Sequence, residues 1–169
     1  MFSRLILWLF VLLLCLDIGA GLYETRVIAP MWKSALVDHL PDSETYLRLA
    51  PNAGERFWIF VTPLLGLVAL LTFLTGLRVK GPEKSWRLFA SGLEFLMVAC
   101  TLLYFVPNIR MLLDPGHHGL SADVVAAKTQ TWLTLNWGRV LITLTALLAG
   151  LRTLQLSGRQ EEKSLQANA

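Results

Sequence analysis

Four stretches of this chain are apolar over enough length to cross a lipid bilayer: Leu5 to about Ile28, Phe57 to Leu77, Trp86 to about Pro107, and Trp132 to Leu154. A helix needs about 20 such residues to cross ~30 Å of hydrocarbon, and each stretch reaches that length. Within hydrocarbon every backbone N–H and C=O must be satisfied by the protein, so only helices and closed barrels can span it. None of the stretches alternates apolar and polar residues with period two. The sequence therefore predicts an all-α fold, an integral membrane antiparallel four-helix transmembrane bundle formed by residues 1–156. Composition agrees: 16% of residues are charged and 54% hydrophobic, against about 25% charged in soluble domains. The polar segment 157–169 has little apolar surface to bury and is expected to form a disordered cytoplasmic tail.

The basic residues lie beside the apolar stretches. Arg78, Lys80, Lys84 and Arg87 crowd one short connection, Arg4 precedes the first span, and Arg152, Arg159 and Lys163 follow or close the last. The two longer connections, Lys33 to Arg56 and Arg110 to Thr131, mix both signs. The positive-inside rule then puts both termini and the Arg78–Arg87 connection in the cytoplasm, in a cell inner (plasma) membrane. The net charge of +3 is thus a topology signal. It calls for no nucleic acid, and the expected partner is the lipid bilayer itself. Ile18-Gly-Ala20 has the look of a cleavage site, but Asp17 inside it and Ile18 at its third-last position favour an uncleaved first span. In the first longer connection, Pro41-Asp42-Ser43-Glu44 opens a short helical pattern through Tyr46, Leu47 and Leu49. Trp32, Trp58, Trp86 and Trp132 fall at span ends, where interfacial indoles belong.

Charged residues inside the spans are the functional signal, because burying them in lipid is expensive. On helical spacing Asp17, Gly21 and Glu24 share one stripe of the first span, and Trp132, Asn136, Arg139 and Thr143 share one of the fourth. Glu94, Thr101 and Asn108 recur at sevenfold spacing in the third. Thr62, Gly66, Ala69, Phe73 and Gly76 make a mostly small face in the second, suited to close helix contact. At 1.5 Å per residue Arg139 lies roughly 10–13 Å from the outer end of its span, level with Asp17. Depth makes Asp17 a partner for Arg139, with Glu24 and Asn136 above them and Asn108 near the outer end of the third span, and either Asp17 or Glu24 is expected to hold the guanidinium in place. Glu94, about 12 Å from the cytoplasmic side, is expected to sit too low to join. The candidate ligand-binding residues are Asp17, Glu24, Asn108, Asn136 and Arg139, lining a polar cavity in the outer half of the bundle. The bland alternative is a buried ion pair that only fixes helix register.

Other chemistry is thinly supported. Cys15 and Cys100 fall near mid-membrane with no CxxC pair, which suits packing better than thiol redox work. His39 and the adjacent His117-His118 lie in the longer connections, where Asp114-Pro-Gly-His-His-Gly reads as a turn rather than a metal site. No nucleotide loop, Ser/His/Asp arrangement or HExxH is present, so neither a metal nor a cofactor is expected.

Three segments carry a family resemblance. Gly21-Leu-Tyr-Glu24-Thr-Arg-Val-Ile-Ala-Pro30-Met-Trp32, Phe105-Val-Pro107-Asn108, and Trp132 with Asn136 and Arg139 together resemble small four-span membrane proteins related to the anthrone oxygenases. The resemblance covers roughly residues 15 to 150. It implies that Asn108, Asn136 and Arg139 match the family's polar pattern and that Pro30 and Pro107 match its helix-end prolines. Many relatives have a histidine after the Asn, where this chain has Trp137. Most members have no assigned function, and the activity named for a minority is cofactor-free oxygenation of anthrones to anthraquinones. Three readings follow: a site for a lipophilic or quinone-like small molecule, an anthrone-oxygenase-like oxidoreductase, and a non-catalytic membrane subunit with a protein partner or a second copy docked on it.

Overall fold

A computed structural model describes residues 2–36, 53–113 and 118–167. Helix α1 (Phe2–Tyr23) passes through a π-helical turn at Glu24–Ile28 into α2 (Ala29–Leu36). Helix α3 covers Ala53–Leu77. Helix α4 (Pro82–Cys100) passes through a second π-helical turn at Thr101–Phe105 into α5 (Val106–Leu113). Helix α6 runs from Ala122 to Ala167, so the tail segment expected to be disordered continues the last helix. Four segments are long and apolar enough to span a membrane: Phe2–Met31, Arg56–Leu77, Pro82–Leu112 and Ala122–Arg159. Each contains the whole of the stretch read from the sequence and extends beyond it. Leu103, Phe60 and Leu141 are among the large apolar side chains exposed on these helices, as a lipid-facing surface requires.

The helices alternate in direction. Arg87, in the second turn of α4, bonds to Ser3 at the start of α1 and to Thr72 and Thr75 near the end of α3. Gly150, late in α6, lies against Val11 and Phe10, early in α1. One end of the bundle therefore gathers the start of α1, the α3–α4 turn and the late part of α6; it is the terminal end below, and the opposite end is the loop end. At the α3–α4 turn Gly81 has φ +80°, a left-handed conformation that glycine adopts without the Cβ clash. Pro82 follows at the first position of α4, where its missing N–H leaves no helix bond unmade.

Small residues set the close approaches. A Cβ on Gly66 would meet Val98 at 3.3 Å, and one on Gly76 would meet Arg87 and Leu88 at 3.2–3.3 Å. The small face expected on the second span does meet the third, although Phe73 has left it and is exposed. Two apolar clusters result. Leu7, Phe10, Leu14, Leu65, Val68 and Ala146 pack toward the terminal end, and Ile28, Met97, Phe105, Leu112 and Trp132 toward the loop end. Where these clusters meet lie Asn136, Arg139, Thr143 and Glu94, all buried.

Candidate functional site

Arg139 is the centre of the polar layer. Its Nη2 donates to Glu24 Oε2 at 2.8 Å, and only 8% of either side chain is exposed. Its guanidinium carbon sits 4.8 Å from the Trp58 ring centroid and 5.4 Å from that of Phe105. Aromatic faces attract a cation more strongly where water is excluded. The arginine is thus held by one carboxylate and two rings from three different spans. Gly21 makes the route: a Cβ there would stand 3.8 Å from Arg139 Nη2 and 3.5 Å from Val140.

The neighbouring turn is braced separately. Asn136 Nδ2 donates to Thr25 Oγ1 at 2.6 Å, and that hydroxyl donates to the Gly21 carbonyl at 2.7 Å. Trp132 Nε1 donates to the Phe105 carbonyl at 3.3 Å, with the two rings edge to face at 5.9 Å. Glu24, Thr25, Thr101 and Phe105 all belong to the two π-helical turns. In each turn the following amide reaches back five residues, from Ala29 to the Glu24 carbonyl and from Val106 to that of Thr101. One extra residue per turn rotates the helix beyond it by about 100°.

That rotation corrects the expected geometry at Asn108. Glu94 and Thr101 precede or open the second π-helical turn and border the same space, whereas Asn108 lies beyond the turn and is swung away. Its Nδ2 donates to the Tyr104 carbonyl on its own helix at 2.9 Å. Of the two carboxylates expected to hold Arg139, Glu24 makes the hydrogen bond and Asp17 borders the smaller space beside the guanidinium. Glu94, expected to sit too low, reaches the layer because α4 begins at Pro82 rather than Trp86. It is 12 residues, roughly 18 Å, along that helix, against roughly 22 Å for Asp17 along α1.

Two spaces adjoin Arg139. The larger, about 190 Å³, is lined by Glu24, Trp58, Thr62, Phe105, Trp132 and Arg139, with Gly54 and Arg110 at the loop end. The smaller, about 10 Å³, lies toward the terminal end between Asp17, Glu94, Thr143 and Arg139. Pro63 and Ile59 also line the larger space. As a proline, residue 63 cannot donate the usual helix bond to the Ile59 carbonyl, and transmembrane helices tolerate such a break beside a cavity. Trp58 and Trp132, expected only as interfacial indoles, are walls of this cavity. Spacing alone carried no sign of that for Trp58. Trp132 shared a stripe with Asn136 and Arg139. His39, Asp114 and His117, and the pattern through Tyr46, Leu47 and Leu49, lie outside the described residues.

The class of molecule is now defined: a multi-pass helical membrane protein with an arginine–carboxylate pair on the wall of an aromatic-lined cavity. The family model for anthrone oxygenase matches residues 56–149, more than half of the chain, and the chain belongs to that family. The matched region holds Trp58, Glu94, Asn136 and Arg139, while Asp17 and Glu24 precede it. Comparison with curated proteins and with solved structures gave no match. Trp137, where many relatives have histidine, does not line the cavity. It is 39% exposed, and its ring stacks under Arg26 at 5.2 Å.

Proposed function

We propose that the larger cavity binds a flat, lipophilic, quinone-like or phenolic molecule whose oxygen is held by Arg139. The observation that carries this reading is the state of that guanidinium. It stands on the cavity wall, is stacked between two rings, and makes one hydrogen bond among the described residues, through Nη2. Arginine has five N–H donors in a planar fork, so donors remain for a ligand oxygen. Trp58, Phe105 and Trp132 supply apolar and aromatic walls for fused rings. Asn136 and Thr25 act one step back, bracing the π-helical turn that presents Glu24.

The family match favours a second reading on the same site, oxygenation of an anthrone-type substrate. Anthrone and dioxygen give anthraquinone and water. Glu24 takes the proton of the activated C–H, and Arg139 holds the resulting enolate oxygen. Dioxygen accepts the carbanion's electron pair as the C–O bond forms, the peroxide anion takes the proton back from Glu24, and loss of water from the resulting hydroperoxide leaves the second carbonyl. The pattern of basic residues supports an inner-membrane protein with both termini in the cytoplasm, so the cavity mouth faces outward.

Anthrone titrated into the protein in lipid nanodiscs, with metal chelator present, tests both readings by tryptophan quenching and by anthraquinone absorbance. Saturable quenching that weakens about tenfold or more in Arg139→Leu supports the site. Product formation lost in Glu24→Gln with quenching retained supports the oxygenase. Wild-type protein that neither quenches nor turns over removes both.

A further inference from the structure

The smaller space has a composition of its own. Asp17, Glu94, Thr143 and Arg139 enclose it with Thr62, Thr101, Trp58 and apolar neighbours. Its volume of about 10 Å³ matches the ~10–15 Å³ that holds a single water. Glu94 Oε2 is buried there without a hydrogen-bond partner among the described residues, and its side chain is 2% exposed. A buried carboxylate oxygen left unpaired is strongly unfavourable, so it calls for an occupant.

Charge narrows what that occupant is. Asp17 comes from the first span, Glu94 from the third and Arg139 from the fourth, while the second span supplies Trp58, Thr62 and Leu65 without charge. Glu24 faces Arg139 from the first span and takes its hydrogen bond. Three carboxylates thus face one guanidinium, which gives its hydrogen bond to Glu24, so Asp17 and Glu94 together exceed the positive charge within the layer. A metal cation would meet Arg139 in the same wall. A proton is held covalently and needs no such room, and two carboxyls sharing one site commonly share one proton.

We propose that this space is a proton-binding site, with one water held between Asp17 and Glu94 and one proton shared by the two carboxyls. Trp58, Thr62, Thr101 and Arg139 border both spaces, so these side chains stand between the carboxyl pair and the cavity. The hydroxyls of Thr62 and Thr101 give a proton a route across. In use, the H–O bond of a phenolic cavity ligand breaks and an O–H bond forms on the unprotonated carboxylate of the pair. The ligand's electron pair stays on the ligand as an anion facing Arg139. That use rests on the ligand reading above, whereas the proton site itself does not.

Infrared spectra of the full chain in phosphatidylcholine–phosphatidylglycerol vesicles at neutral pH test it. The expected result is a protonated-carboxyl C=O band that shifts in D2O and is changed by either Glu94→Gln or Asp17→Asn. Thr143→Val, which leaves both carboxyls in place, should move the band without removing it, and it serves if an acid variant fails to fold. Absence of the band overturns the proposal, as does a band lost in Glu94→Gln but unmoved in Asp17→Asn, which marks a lone buried acid. A band displaced on exchanging potassium for sodium overturns it in favour of an alkali-cation site. Anthrone quenching on the same samples keeps the two ideas apart. Loss of quenching with the band intact removes the ligand reading alone, and loss of the band with quenching intact removes the proton site alone.

Discussion

Among the described residues two arginines are buried in this bundle, and they are buried differently. Arg87, 1% exposed, is the largest fully buried side chain among the described residues. Its Nη1 donates to Glu83, its Nη2 to the Ser3 carbonyl and the Thr75 hydroxyl, and its Nε to the Thr72 carbonyl. Each of its nitrogens is engaged, and the bonds join α1, α3 and α4 at the terminal end. Among the described residues Arg139 makes one hydrogen bond, through Nη2, and otherwise meets ring faces and two spaces. A charge saturated by backbone and hydroxyl groups works as a fastener. A charge with donors to spare, at a cavity, is prepared for something that comes and goes.

The first way to break this comparison is to remove each arginine and measure unfolding in mixed micelles. Arg87→Leu leaves Glu83 buried and three partners unbonded, so it should lower stability by ~3–5 kcal/mol and reduce the yield of folded protein. Arg139→Leu removes one charged hydrogen bond beside a cavity and should lower stability by only ~1.5–3 kcal/mol while weakening anthrone quenching about tenfold or more. Equal losses of stability would erase the distinction between the two sites.

Paired substitutions sharpen it. Replacing both members of a buried ion pair by apolar groups is often close to neutral, because no charge is left behind. Arg139→Leu with Glu24→Leu should therefore recover most of the stability lost in Arg139→Leu, without restoring quenching. Arg87→Leu with Glu83→Leu should recover far less, since Ser3, Thr72 and Thr75 still lose their donor. Recovery to the same degree at both ends would show that Arg87 is an ordinary pair after all. A smaller effect is expected at Trp58. Trp58→Leu removes one cation–π contact worth ~0.5–2 kcal/mol and one wall of the cavity, so quenching should weaken while the helices stay associated on gel filtration.

The two arginines also mark how far the sequence could be read. Spans, their alternation and the depth of Arg139 follow from hydropathy, length and a rise of 1.5 Å per residue. Helical spacing likewise put Asn136, Arg139 and Thr143 on one buried stripe. Partner choice failed wherever the helix departs from 3.6 residues per turn. The turns at Glu24–Ile28 and Thr101–Phe105 carry no residue that marks them as π-helical, and they decide that Glu24 meets Arg139 and that Asn108 does not join. Arg87 was read as a topology signal alone. Its burial depends on a helix that starts at Pro82 and on the room left by Gly76, two facts that charge counting does not contain.

Trp137 gives the smallest expected effect and the finest test of the site's outline. Residue 137 lies next to Asn136 in sequence, but one step along a helix turns a side chain by about 100°. Asn136 is fully buried against Thr25, whereas Trp137 stacks under Arg26 outside the cavity wall. Trp137→His, which installs the residue that many relatives have, exchanges one partner of a surface cation–π contact and should change stability by no more than ~0.5 kcal/mol. Anthrone quenching by the remaining tryptophans and any anthraquinone formation should match wild type. A clear gain in turnover would place position 137 inside the working site. The proton acceptor would then have to be sought on the fourth span instead of at Glu24 on the first.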